Sequence, residues 1–190
     1  MRVHHQETVF DVELALGGRH NMMNALAAIA AGLASGCSVE QIQQGLASVE
    51  PVDGRLKAQQ TNAGLHLIDD TYNANPDSVA AAIAVLQQAP GAGWLVLGDL
   101  AELGPEAEAI HGEIGQRARE AGLPHLYTLG ELSRHAAESF GEGARAFSRL
   151  EDLIRELTEQ VQAGDTLLVK GSRSAGMERV VKLLMAEEDA

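Results

Sequence analysis

The sequence predicts an α/β protein built on a doubly wound, mostly parallel sheet. From residue 65 onward, short apolar segments alternate with amphipathic helical segments, as in parallel strands joined by crossover helices. Several of the apolar segments end in Gly, Asp or Lys. Hydrophobic residues make up 45% of the 190 positions, which is enough for a sizeable core. We therefore expect one full α/β domain and a smaller unit before it.

The first part of the chain is organised differently. Residues 7–16 alternate apolar and polar side chains and predict one strand. Residues 20–33 repeat apolar side chains at helical spacing and are rich in alanine, and residues 39–49 predict a second helix. We expect residues 1–52 to form a small unit. Its alanine-rich helix would expose an apolar face, which leaves self-association or disorder open there.

Residues 53–190 predict the larger domain. It begins with a hairpin whose second strand covers 65–70. We then predict strands over 94–97, 126–129, 144–147 and 166–169, and helices over 76–88, 106–121, 131–140 and 150–162, before a last helix that contains Met177 and Leu184. The carboxyl ends of parallel strands lie at one edge of a sheet. We therefore expect the loops at 69–78, 98–105, 130 and 170–176 to line one crevice.

The segment LHLIDDTYNANPDS, residues 65–78, combines a strand, a polar turn and a helix start. Asn75 can accept a hydrogen bond from the first helical turn, and Pro76 suits the first helical position. Asp70 and Asn73 then lie at the carboxyl end of a strand and the positive end of a helix dipole, where open α/β sheets bind ligands. A well-capped turn without a ligand is the alternative.

Charge and cysteine content exclude several classes of function. The chain has 14 basic and 27 acidic side chains and a net charge of −13, which disfavours nucleic acids and anionic membranes as partners. The single cysteine, Cys37, excludes an internal disulfide, and no Cys/His spacing predicts a metal site. No apolar run reaches the ~18 residues of a membrane span. We expect a soluble protein of the reducing cytoplasm.

Common catalytic and nucleotide-binding motifs are missing from the sequence. It has no GxxxxGK[ST] loop, no GxGxxG after a strand and no GxSxG elbow. The acids Asp69, Asp70 and Asp99, together with Lys170, resemble a phosphate-receiving signalling domain. In such a domain the acceptor aspartate follows the third strand, whereas here that strand ends in Leu129-Gly130. The order of the acids therefore argues against a receiver.

Two amides and one arginine are further candidates for ligand binding. Asn21 and Asn24 are three residues apart near the start of the first helix and share a face. Their amides can bind the edge of a planar ligand such as a purine, or they can cap the helix. Arg55 lies beside a glycine at the junction of the two parts, as a solvated charge or as a phosphate ligand. The residues alone leave these alternatives open.

Five ordered segments resemble the Mur ligases, the ATP-dependent amide ligases of peptidoglycan assembly. They are GRHNMMNALAA at 18–28, DGR at 53–55, IDDTYNANPDS at 68–78, LGDLAELG at 97–104 with His111 after it, and VKGSRSAGME at 169–178. The resemblance implies that residues 53–190 form the Rossmann-like C-terminal domain of that family. It implies that residues 1–52 are the end of the family's central ATP-binding domain.

The resemblance also implies an activity and a nucleotide site. DDTYNANP is similar to the sequence of the family member that adds D-Ala-D-Ala to UDP-N-acetylmuramoyl-tripeptide. In that reaction ATP phosphorylates a carboxylate of the UDP-linked peptide, and the amine of the dipeptide attacks the acyl phosphate. The resemblance implies that Asn24 faces the adenine and that Asn21 belongs to the same site. It further implies that Arg55 contacts the nucleotide and that Asp70 binds the ribose hydroxyls.

The resemblance assigns a second group of residues to the substrate side of the site. Its members are Asn73, Asn75, Lys170, Ser172 and Arg173, which would lie toward the incoming dipeptide or the nucleotide. No residue of the chain is assigned a catalytic role with certainty.

Several parts of the family's members are missing from this sequence. The family's UDP-sugar domain, its P-loop and the Mg²⁺-binding residues of its central domain have no counterpart in the sequence. We therefore expect a portion of a longer ligase that uses ATP and Mg²⁺ but is inactive alone, with Mg²⁺ bound mainly by the missing parts. The alternatives are a non-catalytic α/β module that senses a nucleotide or binds a partner, and a sister ligase such as folylpolyglutamate synthetase, which lacks DDTYNANP.

Overall fold

The chain forms two compact units, Met1–Val52 and Asp53–Ala190. The computed structural model describes residues 1–6, 8–14, 19–50 and 52–186. Residues 7, 15 and 16 of the strand predicted over 7–16 lie outside the described residues. Each unit has a hydrophobic core of its own.

The first unit combines a β-hairpin with two helices. Strand β1 (Arg2–His5) pairs antiparallel with β2 (Thr8–Asp11), and helices α1 (Arg19–Ala34) and α2 (Val39–Ala47) follow. The core side chains are Val3, Phe10, Val12, Ile29 and Ile42. The sequence pattern did not reveal β1, because Val3 is the one buried side chain in that four-residue strand.

The second unit alternates strands and helices as the sequence predicts. Its first half contains β3 (Lys57–Gln60), β4 (His66–Asp70), α3 (Pro76–Leu86), β5 (Gly93–Gly98), α4 (Ala107–Glu120) and β6 (His125–Leu129). Its second half contains α5 (Arg134–Phe140), β7 (Ala144–Phe147), α6 (Leu150–Gln160), β8 (Thr166–Lys170) and α7 (Glu178–Ala186). Short 3-10 turns at Gly104–Glu106 and Arg173–Ala175 precede α4 and α7.

The larger sheet has six strands in the order β3-β4-β8-β5-β6-β7. Strand β3 pairs antiparallel with β4, and all other neighbours in this sheet are parallel. The prediction of a mostly parallel α/β sheet is confirmed.

Helices cover both faces of this sheet. Val79 and Ile83 of α3 pack in one buried cluster with Leu95 of β5, whereas Val180 of α7 packs in a second cluster with Val96. Neighbouring residues of a strand point to opposite faces, so Leu95 and Val96 belong to different layers. Strands buried on both faces explain why the apolar segments run without interruption instead of alternating.

The chain leaves β4 and β8 toward opposite faces. The loop after β4 leads to α3 in one layer, and the loop after β8 leads to α7 in the other. Adjacent parallel strands whose connections diverge leave a crevice at their carboxyl ends, where ligands of open α/β sheets bind. Asp70 ends β4 and Lys170 ends β8, and the two are paired in register.

Candidate functional site

The polar turn after β4 is fixed by its own side chains. Asn75 Oδ1 accepts a hydrogen bond from the Ser78 N–H at 2.8 Å, and Ser78 Oγ accepts from the Asn75 N–H at 3.0 Å. This reciprocal cap begins α3, with Pro76 at its first position. Asn73 Oδ1 accepts from the Ala74 N–H at 2.9 Å. Both asparagines are exposed, so their amide nitrogens remain on the surface of the turn.

Asp70 and Lys170 form an ion pair inside this edge of the sheet. Lys170 Nζ lies 2.6 Å from Asp70 Oδ2 and donates a second hydrogen bond to the Asn73 carbonyl at 2.9 Å. The Lys170 side chain is 2% exposed and that of Asp70 is 13% exposed. The resemblance implies that Lys170 lies toward the incoming dipeptide or the nucleotide; in the structure its ammonium group is buried against Asp70.

The neighbouring acid has a local role. Asp69 is buried, and its Oδ1 accepts hydrogen bonds from the Thr71 N–H at 3.1 Å and the Thr71 hydroxyl at 2.7 Å. These two bonds shape the start of the turn. Of the two adjacent acids, Asp69 therefore supports the backbone of the turn, whereas Asp70 pairs with Lys170.

The segment that contains Arg55 is attached to this turn. The Leu56 N–H donates to Asp70 Oδ1 at 3.2 Å, and the Tyr72 N–H donates to the Gly54 carbonyl at 2.9 Å. A Cβ on Gly54 would lie 2.8 Å from the Tyr72 nitrogen, so the close approach requires glycine. Leu56 has a φ of +50°, a conformation that costs about 1–3 kcal/mol in a residue with a side chain.

Arg55 lies over the ring of Tyr72. Its Cζ is 4.3 Å from the ring centroid, and the Tyr72 side chain is exposed. A guanidinium stacked on an aromatic ring loses less freedom when it binds an anion than a free one. The structure thus brings two predicted nucleotide residues, Arg55 and Asp70, to one loop system.

An ion pair lies in the segment that contains Arg55. Lys57 Nζ lies 2.7 Å from Asp53 Oδ1. The hydrogen bond from Lys57 lowers the pKa of the Asp53 carboxyl, and the same bond raises the pKa of Lys57. Both groups are therefore charged at neutral pH, one on each side of Arg55 in sequence.

Asp99, at the end of β5, joins three loops. Its carboxylate accepts hydrogen bonds from the backbone N–H groups of Glu131, Leu132 and Ser133, at 3.2, 3.1 and 2.7 Å. The carboxylate leaves no room for a Cβ on Gly130, which has a φ of +141°. The carboxylate thus caps the turn at 131–133, and α5 begins after it at Arg134 and not at 131 as predicted.

Ser172 and Arg173 follow β8. The Ser172 hydroxyl donates to the Asp99 carbonyl at 2.7 Å and lies 3.1 Å from the Ser174 hydroxyl. Ser172 is 2% exposed, which gives it a supporting place in the loop network. Arg173 is exposed in the 3-10 turn before α7. Of these two predicted substrate residues, only Arg173 therefore has an exposed side chain.

A cavity of about 290 Å³ opens between these loops. Its lining includes Asp99, Gly130, Ser148, Ala175 and Arg179. Three of the four loops that the sequence places at one crevice therefore share this cavity, namely those after β5, β6 and β8. The loop after β4 lies on the other side of β8 and is joined to it through Lys170.

His111 has a structural role that the sequence alone does not reveal. The imidazole is fully buried, its Nε2 accepts from the Leu100 N–H at 3.0 Å, and Nδ1 lies 2.7 Å from the Ala107 carbonyl. This pattern requires a neutral ring with the proton on Nδ1. The ring ties the loop after β5 to α4. The signal was present in the position of His111 after LGDLAELG, but a sequence does not show that an imidazole is internal.

The two remaining nucleotide candidates belong to the first unit. Asn21 and Asn24 lie on α1, where Asn24 is exposed and Asn21 is half-buried. Met22, Met23 and Leu26 on the same helix are exposed as well. The exposure of these three side chains agrees with the prediction that α1 presents an apolar surface.

Among the described residues, no group of three or more His, Cys, Asp or Glu side chains is arranged to bind a metal ion. None of the described helices is both long enough and apolar enough to span a membrane.

The fold and the loop network define a Mur ligase C-terminal domain. Residues 54–173 match the family described as Mur ligase, glutamate ligase domain. This is more than half of the chain, so the chain belongs to the Mur ligase family. The resemblance drawn from the five sequence segments is confirmed.

Two proteins with similar sequences are ligases named for the same dipeptide. The UDP-N-acetylmuramoyl-tripeptide–D-alanyl-D-alanine ligase of Escherichia coli is 44% identical over 181 residues, which cover 92% of this chain and 39% of that protein. The ligase of the same name from Bacillus subtilis is 36% identical over 88% of this chain and 38% of its own length. The chain spans about two fifths of the curated relatives that it matches.

Solved structures give the same picture. A UDP-N-acetylmuramoylalanyl-D-glutamyl-2,6-diaminopimelate–D-alanyl-D-alanyl ligase from Acinetobacter baumannii superimposes with a TM-score of 0.87 at 35% identity, over 97% of this chain and 41% of that one. MurF ligase from Thermotoga maritima, solved in complex with ADP, has a TM-score of 0.82 at 26% identity, over 95% and 42%.

Proposed function

We propose that this chain is the C-terminal portion of an ATP-dependent ligase that adds D-Ala-D-Ala to UDP-N-acetylmuramoyl-tripeptide. The 44% identity to the Escherichia coli ligase supports this assignment, as does the fit to MurF structures. ATP would phosphorylate the tripeptide carboxylate, and the dipeptide amine would attack the acyl phosphate and release inorganic phosphate. A UDP-linked precursor and ATP are compounds of the cytoplasm, which is the location that we propose.

The loop network at the ends of β4 and β8 is the observation that carries this proposal. Asp70 is a carboxylate fixed at a topological switch point, and a carboxylate there suits the two hydroxyls of a ribose. Arg55, stacked on Tyr72 beside it, is suited to a phosphate. Asn24 and Asn21 are proposed contacts of the adenine. The ADP complex of the Thermotoga maritima relative supports a nucleotide as the ligand.

The acceptor dipeptide is proposed to bind on the other side of β8. The cavity beside Asp99 and Arg179 is of a size suited to a small peptide. Arg173, exposed before α7, can pair with its carboxylate. Asn73 and Asn75 expose amides on the turn after β4 and are proposed as further polar contacts. Lys170 and Ser172 are internal, so we propose that they support these loops.

Magnesium is the cation that an ATP-dependent ligase needs on the phosphates. In the part of the chain that the structure describes, no group of three or more His, Cys, Asp or Glu side chains is arranged to bind a metal ion. We propose that Mg²⁺ is bound by parts of the ligase outside this chain. No chemical step is therefore assigned to a metal held by residues 1–190.

The exposed apolar side chains of α1 support a further proposal. Met22, Met23 and Leu26 lie within one turn or so of each other and are 45%, 58% and 40% exposed. We propose that this surface causes the isolated chain to self-associate. Light scattering should give a mass above that of the monomer, and a change of all three residues to Gln should restore the monomer. A monomeric parent chain would contradict this proposal.

The function is tested in a complete ligase that contains this chain, or in the Escherichia coli relative with the aligned residues changed. We expect formation of ADP that depends on both the UDP-tripeptide and D-Ala-D-Ala. Asp70→Ala and Arg55→Ala should each raise the KM for ATP. Arg55→Ala should leave the melting temperature within a few degrees, whereas Asp70→Ala should lower it, because the buried Lys170 ammonium then lacks its partner. Unchanged kinetics in both variants would contradict the nucleotide site.

Titration of the isolated chain with ATP separates the ligase from a nucleotide sensor. A portion of the ligase that has no P-loop should bind ATP weakly. The residues that would bind the β- and γ-phosphates are absent from its sequence. Micromolar binding by residues 1–190 alone would favour the non-catalytic module.

A further inference from the structure

Asp99 connects the loop after β6 with the loop after β8. Its carboxylate accepts hydrogen bonds from the N–H groups of residues 131–133, at 3.2, 3.1 and 2.7 Å. Its backbone carbonyl accepts from the Ser172 N–H at 3.0 Å and from the Ser172 hydroxyl at 2.7 Å. The side chain of Asp99 therefore holds one loop, and its main chain holds the other. We call this set of bonds the Asp99 junction.

The bonds to residues 131–133 do more than begin a helix. Within the described ranges, Ser133 makes no capping bond with its own side chain, although it directly precedes α5. Asn75, by contrast, caps α3 from within the same turn. A local serine or asparagine is enough to satisfy the first N–H groups of a helix. A carboxylate from the end of another strand also connects two loops, so Asp99 needs an explanation other than helix capping.

The two loops that the Asp99 junction connects form walls of the cavity of about 290 Å³. Gly130 of the first loop and Ala175 of the second both belong to its lining. Gly130 lies so close to the Asp99 carboxylate that a Cβ would not fit, and its φ is +141°. Ser172 is 2% exposed and lies outside the lining. Loss of the junction would therefore free two walls of the cavity to move relative to each other.

We propose that Asp99 is a positioning residue for the acceptor dipeptide. It acts through the loops after β6 and β8 and does not touch the dipeptide. This inference rests on the proposed function, because it places the dipeptide in this cavity. Walls that are fixed before binding need not be ordered by the ligand, which improves affinity. The turn after β4 is held by other bonds, from Leu56 to Asp70 and from Lys170 to Asn73, so nucleotide binding should depend little on Asp99.

Two simpler roles of Asp99 make different predictions. A direct contact with the ammonium group of the dipeptide would need the negative charge of Asp99 and would not involve Ser172. A purely structural junction would lower stability and would affect the binding of all substrates alike. Positioning through the loops needs hydrogen-bond acceptors at this place but not the charge, so asparagine should replace aspartate better than alanine does.

Asp165 provides a matched control at the opposite end of the strands. Its carboxylate also accepts three N–H hydrogen bonds, from Ala92 at 3.1 Å, Gln162 at 3.0 Å and the Trp94 ring at 3.1 Å. Both aspartates are half-buried. Asp165 directly precedes β8, whereas Asp99 follows β5. Asp165→Ala therefore removes a similar set of bonds at the end of the sheet that does not carry the cavity.

The experiment compares Asp99→Ala, Asp99→Asn, Ser172→Ala and Asp165→Ala in the complete ligase. The measurements are the KM for D-Ala-D-Ala and the KM for ATP, each with the other substrates saturating, and the melting temperature. Asp99→Ala should raise the KM for D-Ala-D-Ala about tenfold or more, because a small misplacement of binding groups has a large effect. The KM for ATP should stay within about twofold of the parent.

The other variants should give a graded pattern. Asp99→Asn retains one oxygen as an acceptor, and its KM for D-Ala-D-Ala should stay within about threefold of the parent. Ser172→Ala removes one hydrogen bond of the junction and should raise this KM about two- to tenfold. Asp165→Ala should lower the melting temperature, as Asp99→Ala does, but should keep both KM values within about twofold. If Asp99→Ala is too unstable to purify, the comparison of Ser172→Ala with Asp165→Ala decides.

Three results overturn the inference. Equal increases in the two KM values of Asp99→Ala, or an increase for D-Ala-D-Ala in Asp165→Ala, would show a general effect of lost stability. An Asp99→Asn variant as impaired as Asp99→Ala would show a direct contact of the charge. A parental KM for D-Ala-D-Ala in Ser172→Ala would show that the connection between the loops does not matter. The proposed function fails separately, if the unsubstituted enzyme forms no ADP in response to D-Ala-D-Ala, and this inference then fails with it.

Discussion

The guanidinium of Arg55 stacks on the ring of Tyr72, with Cζ 4.3 Å from the ring centroid. The tyrosine belongs to the turn after β4, and the arginine precedes β3, so the stack joins two segments that are 17 positions apart in the sequence. The backbone bond from the Tyr72 N–H to the Gly54 carbonyl reinforces this junction. The ring thereby fixes where the positive charge of Arg55 lies.

Replacement of Tyr72 tests this stack. Tyr72→Ala in the complete ligase should raise the KM for ATP by roughly two- to fivefold, which corresponds to about 0.5–1 kcal/mol for an exposed cation–π contact. Tyr72→Phe retains the ring and should behave like the parent. Steady-state kinetics at several ATP concentrations give the answer, and equal KM values for the two variants would show that the stack does not position Arg55.

Asp99 should matter for stability through the three N–H groups that it accepts. Asp99→Ala leaves the backbone at 131–133 without these acceptors and should lower the free energy of unfolding by about 2–4 kcal/mol. Asp77→Ala, at an exposed position in the first turn of α3, should cost less than about 1 kcal/mol. Urea denaturation of the chain measures both. A similar small loss in each would contradict the role of Asp99.

The close packing of α4 against α5 can be tested with two glycines of one helix. A Cβ on Gly115 would overlap the Ala136 carbonyl, whereas a Cβ on Gly112 would meet only Ser139 Oγ at 3.1 Å. Gly115→Ala should therefore destabilise the chain by about 1–3 kcal/mol.

The matched variant Gly112→Ala should be neutral or stabilising by up to about 1 kcal/mol, because alanine favours a helix. Urea denaturation is again the measurement. Equal effects at 112 and 115 would mean that the two helices are not in close contact at Ala136.

His125 gives the second unit a pH dependence. Its ring stacks on Trp94 with centroids 3.7 Å apart. Burial lowers the pKa of His125 from its ordinary value of 6.5, and Asp165 opposes this shift with a smaller effect. The unfolded chain therefore binds the proton first as the pH falls. The stability that the neutral ring contributes is complete above pH 6.5 and is lost as the pH falls through the lower pKa of the folded state.

A phenylalanine at this position separates titration from stacking. His125→Phe keeps an aromatic ring against Trp94 but cannot bind a proton, so unfolding free energies measured from pH 7 to pH 5 should fall less than in the parent. His4→Phe, at an exposed position of β1, should retain the parental slope. An unchanged slope in His125→Phe would show that other groups cause the loss.

Local sequence patterns predicted most elements but not their arrangement. Uninterrupted apolar segments identified β5, β6 and β8, and Asn75 with Pro76 identified the start of α3, because these signals depend on neighbours in sequence. The insertion of β8 between β4 and β5 could not be predicted, since strand order depends on contacts between distant segments. The short strand β1 was missed for lack of apolar alternation.

The candidate site was predicted in its residues more than in their roles. Arg55 and Asp70 were selected for their chemistry, and the structure joins them through Leu56 and Tyr72. The resemblance implies that Lys170 and Ser172 lie toward the dipeptide or the nucleotide, but a sequence does not show whether a polar side chain at the end of a strand is internal. Each of these two side chains is 2% exposed. This follows from the register of β8 and from the hydrogen bond between Ser172 and Asp99.

The structure of the complete ligase with bound ADP tests the central claim most directly. The account predicts a ribose hydroxyl within hydrogen-bonding distance of the Asp70 carboxylate, with Lys170 still paired to Oδ2 and Arg55 next to the nucleotide. A ribose that lies away from Asp70, or a Lys170 that leaves Asp70 to contact the nucleotide, would contradict it.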